Sequence, residues 1–149
     1  MGAAMTSTTD PAGAAAAFVH AIRWGEHTIA WSLLSEVGRT TALSVAVTNG
    51  LDRVTASRIR DKVSDPVDLD EFLTRLLRGI RRDLRSVDIE RLECGQVQPG
   101  DSERSATVEL TNPSTIPGTQ HWSAGRLELS ADANGRWFVD RLVPRLAGP

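Results

Sequence analysis

The stretch that decides the fold class runs from His121 to Val143 and reads HWSAGRLELSADANGRWFVDRLV. Two runs of apolar residues flank the pair Asn134-Gly135, and both of these residues tolerate the positive φ angles of a type I′ turn. The apolar residues are Trp122, Leu127 and Leu129 in the first run and Trp137, Phe138, Val139 and Leu142 in the second. This pattern predicts a β-hairpin.

The chain before this hairpin also has the period of β-strands. Val87 to Cys94 is predicted as a strand and Gln98 to Asp101 as a turn. Ala106 to Thr111, in which apolar residues alternate with threonine and glutamate, is predicted as a second strand. A wider connection from Asn112 to Gly118 leads to the hairpin. The sequence therefore predicts a four-stranded antiparallel meander.

The first two helices are recognised by their termini. Asp10 followed by Pro11 is typical of an N-cap and a first helical position, and Gly25 is typical of a C-terminal stop. Apolar residues keep helical spacing between these points. A second helix is predicted over Ile29 to Leu34, and the segment from Ser35 to Gly38 is predicted to end it.

Residues 39 to 64 fit two structures. Leu43, Val45 and Val47 alternate before Asn49-Gly50 as in one arm of a hairpin. The region also has residues with helical spacing, namely Ala42, Leu43, Ala46, Val47, Leu51 and Val54. Because the run from Asp52 to Lys62 does not alternate and a hairpin needs two arms, we favour two short helices.

The longest amphipathic pattern lies between Asp68 and Leu84. Asp68 stands three residues before Glu71, as in a capping box, and Val67 is placed to pack on Phe72 as a hydrophobic staple. The continuous apolar face consists of Leu69, Phe72, Leu73, Leu76, Leu77, Ile80 and Leu84. We predict that this is the central helix against which the sheet packs. N-terminal helices followed by a four-stranded antiparallel sheet wrapped on it place the chain in the α+β class.

The opposite face of the same helix is basic. It carries Arg75, Arg78, Arg82 and Arg85. Acidic neighbours at pairing distance along the helix are Asp70, Glu71 and Asp83. Because these acids are expected to pair with the arginines, and because no aromatic residues are interleaved, we interpret this surface as a solvated helix face and not as a nucleic-acid site.

Composition limits the classes of partner. The formal net charge of -2 gives no field that would attract nucleic acid or an anionic membrane. Cys94 is the only cysteine, which excludes an intrachain disulfide and a cysteine metal cage and suits a reducing compartment. The sequence has no secretory signal and no membrane-spanning apolar run, so we predict a cytoplasmic protein with no membrane or nucleic-acid partner. We expect a leader at 1–9, a single domain at 10–144 and a tail at 145–149.

Two stretches carry a family resemblance. One runs from Ala14 to Ser35 and includes Gly25-Glu26 and Ala30-Trp31, and the other is Gly135-Arg136-Trp137-Phe138-Val139-Asp140-Arg141-Leu142. The first resembles the two opening helices, and the second the last strand, of nuclear transport factor 2-like domains. This group includes ketosteroid isomerases and SnoaL-like polyketide cyclases. Residues 39 to 64 depart from the family pattern, because the insertion there is longer and more helical.

The resemblance implies a cone-shaped fold, in which a strongly curved sheet wraps around helices and leaves a pocket at the open end. It also implies a homodimer through the outer face of the sheet. An activity is not implied, because the fold hosts isomerases, cyclases, dehydratases and non-enzymatic modules. Ketosteroid isomerases of the group use a tyrosine, and this chain contains none, so their mechanism is not carried over.

A general base in such a pocket would be a titratable group on the inner face of the sheet. The candidates are Asp140, His121, Glu109 and Asp88, of which the first two are the ones to test. Simple alternation puts Asp140 on one strand face with Phe138 and Leu142. The alternative is that Asp140 forms a structural ion pair with Arg126 or Arg141, and that His121 is an ordinary surface residue.

Aromatic residues are the candidates for the lining of an apolar pocket. They are Trp31, Trp122, Phe72 and Trp137, although Trp31 and Trp137 are explained as simply by core packing. His20 and His27 lie on separate helices, so no metal site is predicted. Nucleophile and phosphate-loop motifs are missing from the sequence, and no cofactor is predicted.

Two functions remain open, and the sequence does not decide whether the protein is an enzyme. The first is a pocket that binds a small apolar metabolite, with or without isomerase-, cyclase- or dehydratase-type acid–base activity. The alternative is a non-enzymatic module that forms a homodimer or docks a partner protein. A hollow cone lined by a buried acid would favour the first, and a packed interior would favour the second.

Overall fold

The structure of the chain is a computed structural model that describes residues 9–84, 89–112 and 122–144, and the Trp122 side chain is not included. Residues 1–8 of the predicted leader, residues 113–118 of the predicted connection and the predicted tail at 145–149 lie outside these ranges. The α-helices are α1 (Pro11–Trp24), α2 (His27–Ser32), α3 (Glu36–Thr48), α4 (Arg53–Arg60) and α5 (Pro66–Asp83). They precede the strands β1 (Glu93–Pro99), β2 (Ser105–Asn112), β3 (Trp122–Ala131) and β4 (Trp137–Pro144). The predicted α+β class is confirmed.

The ends of α1 are those predicted. The Asp10 side chain accepts a hydrogen bond from the Gly13 N–H at 2.6 Å, and Gly25 ends the helix with a φ of 71° in the left-handed region.

Among the described residues, none of the helices has the length and apolarity that a membrane crossing requires.

α5 begins three residues earlier than the predicted cap at Asp68. Asp65 is the N-cap and accepts the Val67 N–H at 2.8 Å, with Pro66 at the first helical position. Proline favours this position because its fixed φ already suits a helix. Val67 is 65% exposed, so the predicted staple onto Phe72 is wrong.

Residues 39 to 64 form helices and not a hairpin, as predicted. The first of them, α3, begins earlier than expected, because Ser35 is its N-cap and not the end of α2. The Ser35 hydroxyl oxygen accepts the Gly38 N–H at 3.1 Å. α4 is capped by Asp52, whose carboxylate accepts the Thr55 N–H at 3.1 Å.

The strands form one antiparallel sheet in the order β1-β2-β3-β4, which is the predicted meander. β1 lies further along the chain than predicted, because Ile89–Arg91 is a 3-10 turn and the strand runs from Glu93 to Pro99. The predicted turn at Gln98 to Asp101 is therefore wrong at Gln98 and Pro99, which belong to the strand. Ile89 and Leu92 are three residues apart and both pack into the core, which suits a helical turn better than a strand. The Arg23 guanidinium donates to both of their carbonyl groups and holds the turn against α1.

The loop between β3 and β4 differs from the predicted type I′ turn. Gly135 has a φ of 80°, but Asn134 does not have a positive φ. Asp132 organises the loop instead, because its carboxylate accepts the N–H groups of Asn134 at 2.8 Å and Arg136 at 3.0 Å. An aspartate side chain that binds its own downstream backbone replaces the tight two-residue turn.

β4 contains a bulge at Asp140. Glu128 of β3 pairs with Arg141 and the next residue, Leu129, pairs with Val139, so that Asp140 is the extra residue. Beyond the bulge, Leu142 packs against the same core as Val139. The predicted alternation, with Leu142 on the face of Asp140, is therefore wrong, because a bulge reverses the facing of all later side chains.

The helix that covers the sheet is α1, and the prediction of the Leu69–Leu84 helix for this role is wrong. α1 packs against all four strands, whereas α5 packs against α1 and α2. The α1 face that meets the sheet is built largely of alanine, with Phe18 and Ile22 as its large residues. Because alanine side chains are small, the axis of α1 can approach the sheet closely. Few large side chains are then needed to fill the space between the helix and the sheet. A second core cluster, which contains Leu43, Ile59 and Phe72, joins α3, α4 and α5.

Candidate functional site

Asp140, the first candidate base, is held by two serine hydroxyls. Ser35 Oγ donates to Asp140 Oδ1 at 2.5 Å, and Ser130 Oγ donates to the same oxygen at 2.8 Å. Because Ser35 is also the N-cap of α3, this carboxylate connects the start of α3 to β3 and β4. Hydrogen bonds to an ionised acceptor are among the strong ones, which suits a structural connection.

The backbone reinforces the same connection. The Ser35 N–H donates to the Val139 carbonyl at 2.9 Å, and the Val139 N–H donates to the Leu33 carbonyl at 2.8 Å. Gly38 lies directly against this bridge. A Cβ at position 38 would lie 2.8 Å from the Val139 carbonyl oxygen and 3.1 Å from that of Asp140, so this approach requires glycine.

The predicted ion pair of Asp140 with an arginine is not formed. Within residues 9–84, 89–112 and 122–144, neither Arg126 nor Arg141 pairs with Asp140, and Arg126 lies 3.3 Å from Glu128 instead. Asp140 also does not line either of the two surface pockets described below. Its observed contacts are those of a residue that fixes the fold.

The other candidate bases are dispersed. His121 and Asp88 lie outside the described residues. Glu109 is exposed on the outer face of β2, where it lines a depression of about 260 Å³ together with Thr107, Ser123 and Arg126. This depression is on the side of the sheet that faces away from the helices, because Thr107 and Glu109 alternate with buried residues of β2.

Two of the aromatic candidates meet. Trp31 and Phe72 form an edge-to-face pair with ring centroids 5.3 Å apart, and the Arg39 guanidinium lies 5.3 Å from the centre of the Trp31 ring. Trp137 is half-buried and packs on the core that lies against the sheet, and it forms no ring contact with this pair. The Trp122 side chain is not described. The four predicted binding residues therefore do not line one common pocket in the part of the chain that is described.

Histidines pair with acids on neighbouring elements. His27 Nε2 lies 2.8 Å from Asp70 Oδ1 and connects α2 to α5, and His20 Nε2 lies 3.5 Å from Glu26 Oε1. Among the residues that the structure covers, no group of three or more histidines, cysteines and acids is placed to hold a metal ion.

The larger of the two depressions is a groove of about 890 Å³ between α3 and α5, with Thr55 of α4 also in its lining. We call it the α3–α5 groove. Its apolar floor consists of Ala42, Ala46, Leu51, Phe72, Leu76 and Ile80. The second core cluster lies beneath this floor, since Phe72 belongs to both. Val45 stands at its edge and is 54% exposed.

Charged residues of α5 line the other edge of the groove. They are Asp68, Glu71, Arg75, Arg78, Arg82 and Asp83. In residues 9–84, 89–112 and 122–144, none of these six side chains forms a salt bridge. The α5 acid that does have an ionic partner there is Asp70, which pairs with His27. The predicted pairing of Arg75, Arg78 and Arg82 with Asp70, Glu71 and Asp83 along the helix is therefore wrong. Arg85 lies outside the described residues. The edge presents six charges without an ionic partner in the described chain.

Sequence reasoning missed this groove although it identified its basic edge. The amphipathic pattern of α5 shows which residues are apolar, but it does not show which part of that apolar face the neighbouring helices leave uncovered. A usable signal was Val45, an apolar residue that does not belong to the helical stripe of Ala42, Leu43, Ala46 and Val47.

The Cys94 thiol is unsuited to act as a nucleophile at neutral pH. Burial raises the pKa of its thiol to about 11, an effect that the nearby positive charge of Arg23 opposes only in part. At neutral pH the thiol is therefore protonated and a poor nucleophile.

Comparison with known proteins adds no further assignment: no protein-family model, no curated protein and no solved structure matches this chain.

Proposed function

We propose that this chain is a non-enzymatic interaction module that binds an amphipathic helix of a protein partner in the α3–α5 groove. The observation that carries the proposal is the combination of an apolar floor with six charges that have no ionic partner in the described chain. Apolar anchors and flanking charges are what a groove needs to bind an amphipathic helix with affinity and in one orientation.

The groove floor supports this proposal by its shape. Ala42 and Ala46 on α3 leave room for a helix to lie between α3 and α5, while Phe72, Leu76 and Ile80 offer apolar contacts. Val45 would cover the bound helix from one side, since its side chain is exposed at the groove edge.

The placement of Asp140 supports a non-enzymatic role. Both described hydroxyl donors bind one of its carboxylate oxygens, and these contacts hold α3 on the sheet. A general base needs a path to its substrate, and Asp140 does not line the groove or the outer depression.

The family resemblance is part of the proposal. An α1 helix that lies across a four-stranded meander supports membership of the nuclear transport factor 2-like group, whose fold also hosts binding modules. A cytoplasmic location is proposed as well, and a single cysteine that can form no intrachain disulfide supports it.

Binding of a small apolar metabolite stays a prediction. The groove volume is within the usual range of small-molecule sites, and Phe72 is one of the predicted binding residues. The edge with six charges favours a peptide helix over such a ligand, because an apolar metabolite would leave these charges without partners.

The test uses fluorescence polarisation with labelled amphipathic helical peptides that share one leucine stripe. Three peptides carry different flanking charges: acidic only, basic only, and acidic at one end with basic at the other. We expect the third peptide to bind best, because the edge of the groove carries both signs.

A pair of matched variants on α3 locates the binding site. Val45→Glu places a charge at the groove edge and is expected to weaken peptide binding at least about tenfold, the effect of roughly 1.4 kcal/mol. Val37→Glu changes a valine on the same helix that does not line the groove and is expected to leave binding unchanged. Equal effects of the two variants, or no binding of any peptide by the monomeric protein, would refute the proposed function.

A further inference from the structure

The charges along the groove edge of α5 are separated by sign. Asp68 and Glu71 lie in the N-terminal half of the helix, and Arg75, Arg78 and Arg82 follow in the C-terminal half. Asp83 is the one acidic residue at the far end. An occupant that matches this edge must therefore carry basic groups at one end and acidic groups at the other.

A second copy of α5 meets this requirement when it runs antiparallel. A two-fold axis near the middle of the helix brings Asp68 and Glu71 of each copy against Arg78 and Arg82 of the other, while the two copies of Arg75 lie near the axis. Two-fold interfaces use the same surface on both subunits, so the surface must be complementary to itself. The charge order of α5 has this property at Asp68, Glu71, Arg78 and Arg82. An occupant of one sign would match only half of the edge.

Gly79 provides a second, independent observation. It lies inside α5 and lines the groove, at a position where glycine is less favourable than alanine by the entropy of its backbone. A Cβ at this position would meet only the end of the Arg82 side chain, at 3.8 Å. The fold of the described chain therefore does not require glycine here, but a closely approaching second helix would.

We propose that the occupant of the α3–α5 groove is a second copy of this chain, bound through antiparallel pairing of the two α5 helices with the two α3 helices alongside. This proposal rests on the proposed function of the groove and names its partner. The interface differs from the homodimer through the outer sheet face that the family resemblance implies.

Charge reversal tests the pairing by sedimentation velocity over a range of protein concentrations. The acid-reversed variant is Asp68→Lys with Glu71→Lys, and the base-reversed variant is Arg78→Glu with Arg82→Glu. Each variant alone places like charges together and is expected to weaken dimerisation at least about tenfold. An equimolar mixture of the two restores opposite charges at both contacts and is expected to dimerise as the parent protein does.

A matched control changes the net charge by the same amount as the acid-reversed variant, but outside the groove. Asp101→Lys with Glu103→Lys lies in the turn between β1 and β2, where both side chains are exposed, and is expected to leave dimerisation unchanged. Circular dichroism spectra confirm that all variants are folded. A mixture that stays monomeric, or a parent dimer that the groove variants do not weaken, would overturn the proposal.

Gly79→Ala separates assembly from folding. Alanine favours the helix and has room in the single chain, so the midpoint of thermal unfolding should rise at low protein concentration. Self-association should weaken, because the added methyl group keeps the second helix away. Unchanged or tighter self-association would overturn the close approach at Gly79. A parent protein that is monomeric at every concentration but still binds the helical peptides would overturn the second copy as occupant and leave the proposed function intact.

Discussion

Replacement of Asp140 should destabilise the protein, because its carboxylate joins α3 to the sheet. Asp140→Ala removes the acceptor of two hydroxyl hydrogen bonds, from Ser35 at 2.5 Å and from Ser130 at 2.8 Å. A hydrogen bond to a charged group contributes about 1.5–3 kcal/mol. The site is half-buried and water can replace part of these bonds, so we take the lower end of the range and expect a loss of about 2–3 kcal/mol.

Asp140→Asn should cost less. Its amide oxygen still accepts a hydrogen bond, but the bond is no longer strengthened by charge, and we expect a loss of about 1 kcal/mol. The double variant Asp140→Ala with Ser130→Ala should lose less than the sum of the two single variants, by about 1 kcal/mol, since the two residues share a bond.

The assay is urea unfolding followed by tryptophan fluorescence, which the four tryptophans of the chain make possible. An unchanged slope of the free energy against urea concentration shows that the variants unfold as the parent does. A free energy of unfolding within about 0.5 kcal/mol of the parent for Asp140→Ala would refute the structural role, because surface substitutions without such a role have effects of this size.

The remaining predictions concern three other contacts. Gly38→Ala should destabilise by about 1–3 kcal/mol in the same urea assay, because its Cβ would press on the Val139 carbonyl oxygen, and a neutral result would contradict the close approach. Phe72→Ala should destabilise by about 3–4 kcal/mol, because Phe72 is 5% exposed and packs on Trp31; a loss below about 1 kcal/mol would contradict this packing. Burial raises the pKa of Cys94 from 9.0 to about 11, so the unfolded chain releases this proton first and the free energy of unfolding should fall as the pH rises from 9.0 to about 11. The fall in the free energy of unfolding should be at most about 2 kcal/mol, because the thiol keeps some contact with solvent. Cys94→Ala should abolish this fall, and an equal fall in that variant would exclude the thiol as its origin. Few other groups titrate in this pH range, because the chain has no tyrosine and one lysine.

The parts of the fold that the sequence predicts correctly are those set by local chemistry. Asp10-Pro11 and Gly25 mark the ends of α1 because capping and left-handed backbone depend on a few adjacent residues. The meander follows from the alternation in β2, where every second residue is buried. The absence of alternation after Asp52 predicts helices between 39 and 64 for the same local reason.

The errors concern features that depend on distant parts of the chain. Ser35 looks like the end of α2, but it caps α3 because β4 supplies the carboxylate of Asp140 and the carbonyl of Val139. The bulge at Asp140 changes the facing of Leu142, and strand alternation alone does not reveal it. α5 has the stronger apolar pattern, yet α1 covers the sheet because its alanines allow a closer approach.

The candidate site depends most on tertiary arrangement. The sequence identifies the arginines of α5 and suggests Asp70 as one of their partners. In the structure Asp70 pairs with His27 instead, and the arginines of the groove edge have no ionic partner in the described chain. The sequence likewise predicts that Phe72 lines a pocket enclosed by the sheet. In the structure it lies in the floor of a groove between helices.

The most direct test of the α3–α5 groove as the recognition surface is hydrogen–deuterium exchange with and without the peptide of mixed charge. If the account is right, the added protection falls on the groove segments of α3 and α5, residues 42–49 and 68–83, and is lost in Val45→Glu. Added protection on β1 and the outer face of β2, with no change in these two helical segments, would contradict it.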